Sequence, residues 1–213
     1  MRICDHFKQG TREWAQAHIG RIGSTQLITV LRGRTKAWER LSNGLQKRDV
    51  SQYTSRLPSI PSLRWGVEHE AEARRVYTTR TRLKVREIGC VIGTDTRYCV
   101  SPDGLVQHDG LIEIKCPYVT ANHIAVRKSR AVPEAYRAQV YGMMWVTERK
   151  WCDFVSYDPR HPMSLIIVRV YQDANVVALL EARAKAFWAF HRARTTQRAR
   201  VARAPVLFGA RKI

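Results

Sequence analysis

The chain has 213 residues, with 37 Lys or Arg against 18 Asp or Glu, a net charge of +19. That length suits one domain with one sizeable core, and the longest apolar runs fall short of the ~20 residues of a membrane span. So large an excess of positive charge repels itself unless a polyanion offsets it, which points to nucleic acid ahead of a membrane surface or a merely solubilising charge.

The opening MRICDHFKQGTREW lacks the apolar stretch of a secretory signal, so a cytoplasmic protein without a membrane partner is expected. Five cysteines, an odd number with no C-x-x-C pair, read as small buried hydrophobes and not as a disulfide framework or zinc ribbon. The seven histidines show no H-x-x-x-H or H-E-x-x-H spacing.

TREWAQAH and STQLITVLRG read as two short helices, the second capped by Ser24 or Thr25 and ended by Gly33. RTKAWERLSNG predicts a third helix closing at Asn43-Gly44, and 45–60 reads as polar loop. From Pro61, which suits a first turn, PSLRWGVEHEAEARRVYTTRT predicts a long helix. Gly66, Glu70, Ala73 and Tyr77 share one stripe of it, so Glu70 travels with small and aromatic residues. The period then shortens. VREIGCVIG, TRYCVS and LIEIKC predict strands, with HDG at 108–110 as a hairpin turn. PEAYRAQVYGMMWVT predicts a helix with Pro133 in its first turn. WCDFVSYD and SLIIVRVY predict two strands, and a long basic helix and tail follow from about 174. The order implies an α/β or α+β layer around a central mixed sheet.

Within LIEIKC, alternation sends Ile112 and Ile114 to one face and Glu113 and Lys115 to the other. Asp103, after Ser101-Pro102, can return beside Glu113 through the hairpin. Two carboxylates at one point repel, and one keeps its proton unless a cation intervenes. A hard divalent ion removes that conflict, and a lysine alongside can orient water or stabilise developing charge on a phosphate.

SPDG…LIEIKCP resembles the PD-(D/E)xK nuclease motif, in the form carried by the phage lambda exonuclease and YqaJ-type viral recombinase family. LRWGVEHEAEAR resembles that family's first helix, AYRAQVYGMMWVT its glutamine-bearing helix, and FVSYDPR the strand and turn after it. The resemblance implies a restriction-endonuclease-like core, a central mixed β-sheet flanked by helices, with residues 1–213 as a single nuclease domain. It implies that Asp103, Glu113 and the carbonyl of Ile114 bind Mg²⁺, which Mn²⁺ can replace. Glu70 then serves a second ion, Lys115 positions the attacking water, and Gln139 orients water or substrate. The implied activity is 5′-to-3′ degradation of linear double-stranded DNA, leaving a 3′ strand for a single-strand annealing protein in phage-type recombination. The implied assembly is a ring-shaped homotrimer, in a bacterial host and of phage or prophage origin. Where the family carries an arginine for the 5′ phosphate, this chain has His18, with Thr25 at a nearby family serine. Arg12 or Arg21 could replace the guanidinium, or a protonated His18 could hold the phosphate. Arg137, on the glutamine helix, is a further DNA-binding candidate. Two alternatives stay open: another deoxyribonuclease of the same fold, endonuclease or repair end-trimmer, and a catalytically silent DNA-binding module.

Overall fold

The computed structural model describes residues 1–47, 50 and 60–203; most of the 45–60 loop and the basic tail beyond 203 lie outside the described residues. In chain order the elements are β1 (Arg2–Cys4), α1 (Arg12–His18), a 3₁₀ turn (Ser24–Gln26), α2 (Leu27–Arg32), α3 (Thr35–Gln46) and α4 (Pro61–Thr81). Then come β2 (Val85–Arg86), β3 (Cys90–Ile92), β4 (Cys99–Val100), β5 (Gly104–Val106) and β6 (Gly110–Lys115). The remainder is α5 (Thr120–Ser129), α6 (Glu134–Thr147), β7 (Trp151–Tyr157), β8 (Leu165–Tyr171) and α7 (Ala174–Arg203).

The expected mixed sheet is present, with strand order β2-β5-β6-β7-β8. Only β6 and β7 run parallel in it, and the α5–α6 crossover joins them. Helices cover both faces. Ile112 and Ile114 pack with Ala73 and Tyr77 of α4, while Leu111 and Phe154 pack with Val140, Met143 and Met144 of α6 and with Phe187 of α7. A second, antiparallel sheet, β1-β3-β4, was not expected: the predicted strand meander divides between two sheets.

The β5–β6 hairpin turns at Gln107–Asp109, with Gln107 at φ +50°, and pairs Gly104 with Ile112. The Asp109 carbonyl accepts from the Lys150 N–H at 2.8 Å, and its carboxylate accepts from Trp151 Nε1 at 3.1 Å, so the turn is tied to the start of β7. Helix α4 is fixed by Tyr77, whose hydroxyl donates to Asp153 Oδ2 at 2.6 Å. Arg169 donates to both oxygens of the same buried carboxylate at 2.8 and 2.7 Å, which keeps Asp153 paired.

Several boundaries differ from the sequence expectation. Gly23, not Ser24 or Thr25, occupies the cap of the 3₁₀ turn; its N–H donates to Gln26 Oε1 at 2.9 Å. Helix α2 does end at Gly33, where the backbone turns extended and a Cβ would lie 2.1 Å from the Thr29 carbonyl and 2.8 Å from Trp38. Helix α3 runs through Asn43-Gly44 to Gln46. Docking on α7 sustains it there: Ser42 meets His191 at 2.9 Å, and Arg198 donates to Asn43 at 2.8 Å. Pro133 is the cap of α6 and precedes its first turn. Helix α5 and strand β1 had no counterpart in the expectation.

Candidate active site

Strand β6 is the second element of the hairpin and lies against β5 on one side and β7 on the other. Its alternation places Glu113 on the α6 face, where it is 1 % exposed. Glu113 lies beneath α6, and Lys115, at the strand end, is the half-buried member of the pair. Both Gln139 and Lys115 reach Glu113 Oε1, Gln139 Nε2 at 2.6 Å and Lys115 Nζ as an ion pair. Glu113 Oε2 is buried with no hydrogen-bond partner among the described residues. Lys115 Nζ also lies 5.2 Å from the centroid of the Tyr136 ring, three residues before Gln139 on α6.

Asp103 sits in the link from β4 to β5, opposite the upper half of β6. Its N–H donates to the Ile112 carbonyl at 3.1 Å, and its Oδ2 accepts from the Ile114 N–H at 2.5 Å. Because N–H and C=O of a strand residue point to the same side, the Ile114 carbonyl faces Asp103 too. Glu70 comes from the other side, on α4, and accepts from Arg74 at 2.5 Å. Arg74 also donates to the Asp103 carbonyl at 3.1 Å, so α4 is linked directly to the Asp103 segment.

The electrostatics follow from crowding acids into little water. Burial and the neighbouring Asp103 charge push the Glu70 carboxyl up to about 7, against the pull of Arg74. Burial and the Glu113 charge likewise push Asp103 up to about 7, opposed by Lys115 and the Ile114 N–H. Burial raises Glu113, with Lys115 opposing and Glu70 adding. Burial works against the Lys115 ammonium, but Glu113 and Asp103 together raise its pKa above the ordinary lysine value.

The sequence expectation brought Asp103 and Glu113 together on one ion with Glu70 beside them on a second. Among the described residues no three His, Cys, Asp or Glu side chains converge closely enough to hold a metal. Instead each carboxylate rests on its own donor, Arg74, Ile114 N–H or Lys115 and Gln139, because like charges separate toward the nearest positive group. The donor chemistry nevertheless fits a hard divalent cation. It consists of carboxylate and carbonyl oxygens, one of them buried without a partner, and acids whose pKa values rise with burial and one another's charge.

The DNA-binding candidates fare unequally. Arg12 and Thr25 are exposed, at the start of α1 and in the 3₁₀ turn. The Arg21 guanidinium donates to the carbonyls of Thr96 and Ala17 at 2.9 and 2.8 Å. His18 is 5 % exposed, with Nδ1 at 2.8 Å from the Trp14 carbonyl and Nε2 at 3.3 Å from the Ser101 hydroxyl. Burial pushes its pKa down, so the idea of a protonated His18 presented to a phosphate does not fit this ring. Arg137 donates to Glu134 at 3.2 Å on the exposed side of α6, since two residues on a helix are ~200° apart and Gln139 points inward. The other acids of α4 near Glu70 pair with arginines of the same helix: Glu68 with Arg64 and Glu72 with Arg75. Arg74 and Tyr136 were missed. Their spacings, four after Glu70 and three before Gln139, were the available clue.

Comparison with known proteins bears on this arrangement. The family model for the YqaJ-like viral recombinase domain matches residues 13–150. The chain belongs to the YqaJ-like viral recombinase family. Within the match lie Glu70, Asp103, Glu113, Lys115 and Gln139. Among solved structures the YqaJ-like chain is similar to an alkaline exonuclease (LHK-Exo) from Laribacter hongkongensis, at 32% identity and TM-score 0.79, over 90% of this chain and 98% of that one. The same protein in complex with dAMP matches equally. A phage related exonuclease from Haemophilus somnus 129PT, at 14% identity and TM-score 0.57 over 83% and 96% of the two chains, shares the fold. No curated protein matches the sequence.

Proposed function

We propose that the protein is a divalent-metal-dependent 5′-to-3′ exonuclease of linear double-stranded DNA that leaves 3′ single strands for annealing. Family membership and the likeness to an alkaline exonuclease make it a phage-type exonuclease, a deoxyribonuclease. The observation that carries the finer reading is Glu113, only 1 % exposed, with Lys115 and Gln139 on one oxygen and Asp103 bonded to the next residue of its strand.

Asp103, Glu113 and the Ile114 carbonyl would hold one Mg²⁺ or Mn²⁺ and Glu70 a second, supplying positive charge against the phosphate and a more nucleophilic water. The chain's own groups do the rest. Lys115, held ionised between Glu113 and Asp103, donates to water or to a phosphate oxygen as negative charge develops. Gln139 holds the Glu113 carboxylate in one orientation. Tyr136 flanks the Lys115 ammonium on the α6 side and limits its movement. Arg12, the exposed member of the arginine pair near α1, is the better candidate for a terminal phosphate, since Arg21 is engaged with backbone carbonyls. The net charge of +19 suits a long contact with DNA phosphates. A ring-shaped homotrimer, an annealing-protein partner and a place in the cytoplasm of a bacterial host complete the proposal. Among the described residues no helix is long and apolar enough to cross a membrane.

The test uses end-labelled linear duplex and closed circular plasmid, each with Mg²⁺ or EDTA. The expected outcome is release of 5′ mononucleotides from the linear duplex in Mg²⁺ alone, with closed circles intact. Cutting of closed circles, or cutting in EDTA, would refute it.

A further inference from the structure

Arg74 is the most committed side chain near the acids that the activity itself does not employ. Its guanidinium uses three nitrogens on three separate elements. Nη2 meets Glu70 Oε1 one turn back on α4 at 2.5 Å, Nη1 meets Glu87 Oε2 between β2 and β3 at 3.0 Å, and Nε donates to the Asp103 main-chain carbonyl at 3.1 Å. The Arg74 side chain is only 13 % exposed, so its guanidinium is largely shielded from water even though the Glu87 carboxylate it meets lies at the surface. Such a planar fork is rigid and always charged, and its nitrogens diverge at fixed angles. One group therefore fixes the distance between the helix that brings Glu70 and the backbone that brings Asp103.

We propose that Arg74 is a positioning residue of the metal site. It sets the separation of Glu70 and Asp103 and offsets their mutual repulsion without touching DNA. This rests on the exonuclease reading above. The physical basis is that of outer-shell groups elsewhere: a ligand held by a second partner keeps its orientation, and losing that partner typically lowers metal affinity or activity 10–100-fold. The contact to Asp103 is through its carbonyl, so the bracket holds the backbone and does not occupy the carboxylate, whose Oδ2 accepts from the Ile114 N–H. A lysine offers one point charge on a flexible stem and cannot reproduce three diverging contacts.

The experiment compares wild type with Arg74→Lys, Arg74→Gln and Glu87→Gln, using Mg²⁺ titration calorimetry without DNA, kcat and KM on linear duplex, and urea unfolding. For both Arg74 variants, Mg²⁺ affinity should fall about 10–100-fold and kcat by a similar factor, with KM for DNA within about twofold and no rescue by lysine. Glu87→Gln removes only the outermost anchor, from a side chain that is 70 % exposed, and should lower Mg²⁺ affinity by a few-fold with no change in the unfolding midpoint. Wild-type Mg²⁺ affinity and kcat in Arg74→Lys overturn the proposal. So does a rise in KM at unchanged kcat, which would make Arg74 a DNA contact. Should both Arg74 variants fail to fold, unchanged Mg²⁺ affinity in Glu87→Gln overturns it too. If wild type itself neither binds Mg²⁺ nor degrades DNA, the exonuclease reading falls instead.

Discussion

Lys115→Met keeps the length and apolar stem of the side chain and removes its charge. Glu113 then retains only the Gln139 amide, at 2.6 Å, in a position 1 % exposed. Breaking a buried ion pair by deleting one partner costs about 3–5 kcal/mol. The Lys115 side chain is 29 % exposed, which screens part of the interaction and favours the lower end, about 3 kcal/mol. The penalty carries a sign in pH. Burial already raises the Glu113 carboxyl, and loss of the ammonium raises it further. A carboxyl whose folded pKa exceeds its unfolded value, about 4.3, is neutral in both states at low pH and brings no penalty there. As pH climbs from the unfolded value through the folded one, the native state loses stability. Urea unfolding in EDTA should therefore show a small difference from wild type near pH 4.5 and the full ~3 kcal/mol near pH 8.5. Cleavage in Mg²⁺ should fall by several orders of magnitude at every pH. A penalty equal at both pH values, or below ~1 kcal/mol at the higher one, would refute the pairing argument.

Two further outcomes test the site and the scaffold. Glu70 and Asp103 are both pushed up to about 7, so protons compete with a cation across neutral pH. Calorimetric Mg²⁺ affinity should climb by roughly tenfold per pH unit for each proton displaced between about pH 6 and 7, then level off; a flat profile would sink the ligand assignment. At the hairpin, a Cβ on Gly110 would lie 2.0 Å from the Trp151 ring, which Asp109 holds at 3.1 Å and Arg169 covers at 3.9 Å. Gly110→Ala should destabilise by about 1–3 kcal/mol in urea. Gly66→Ala, within α4 and with open space around it, should stabilise by about 0.5–1 kcal/mol, and the reverse order would contradict the packing described.

What the sequence revealed best were elements whose local signals agreed with their surroundings. Helix α4 begins at Pro61 and buries Ala73 and Tyr77, the inner residues of the predicted stripe. Ile112 and Ile114 alternate with Glu113 and Lys115 across β6 as the period of two requires. Elsewhere tertiary contacts decided the outcome. Strand β1, three residues long, exists because Arg2, Ile3 and Cys4 pair with Ile92, Val91 and Cys90, almost ninety residues away. Nothing local in TANHIAVRKS marks α5 as strongly as its anchor does: His123, wholly buried, meets Ser156 at 2.8 Å and the Met163 carbonyl at 2.9 Å. Of the candidate site, the spacing of Asp103, Glu113 and Lys115 was legible because one hairpin carries all three. Arg74 was not, since an arginine on an exposed-looking helix face has many uses until its partners are known. The family pattern aligned His18 with a phosphate-binding position but could not reveal the Trp14 and Ser101 contacts that enclose its ring.

The hairpin also divides the labour of the site. Asp103 is cross-linked to Ile112 and Ile114 by N–H bonds at 3.1 and 2.5 Å within twelve residues of chain, whereas Glu70 and Gln139 arrive on helices from outside that stretch. The hairpin's own bonds set the spacing of its two acids; α4 reaches them through the Arg74 bond to the Asp103 carbonyl and α6 through the Gln139 bond to Glu113. The hairpin is an anvil, and the two helices are the tooling set around it.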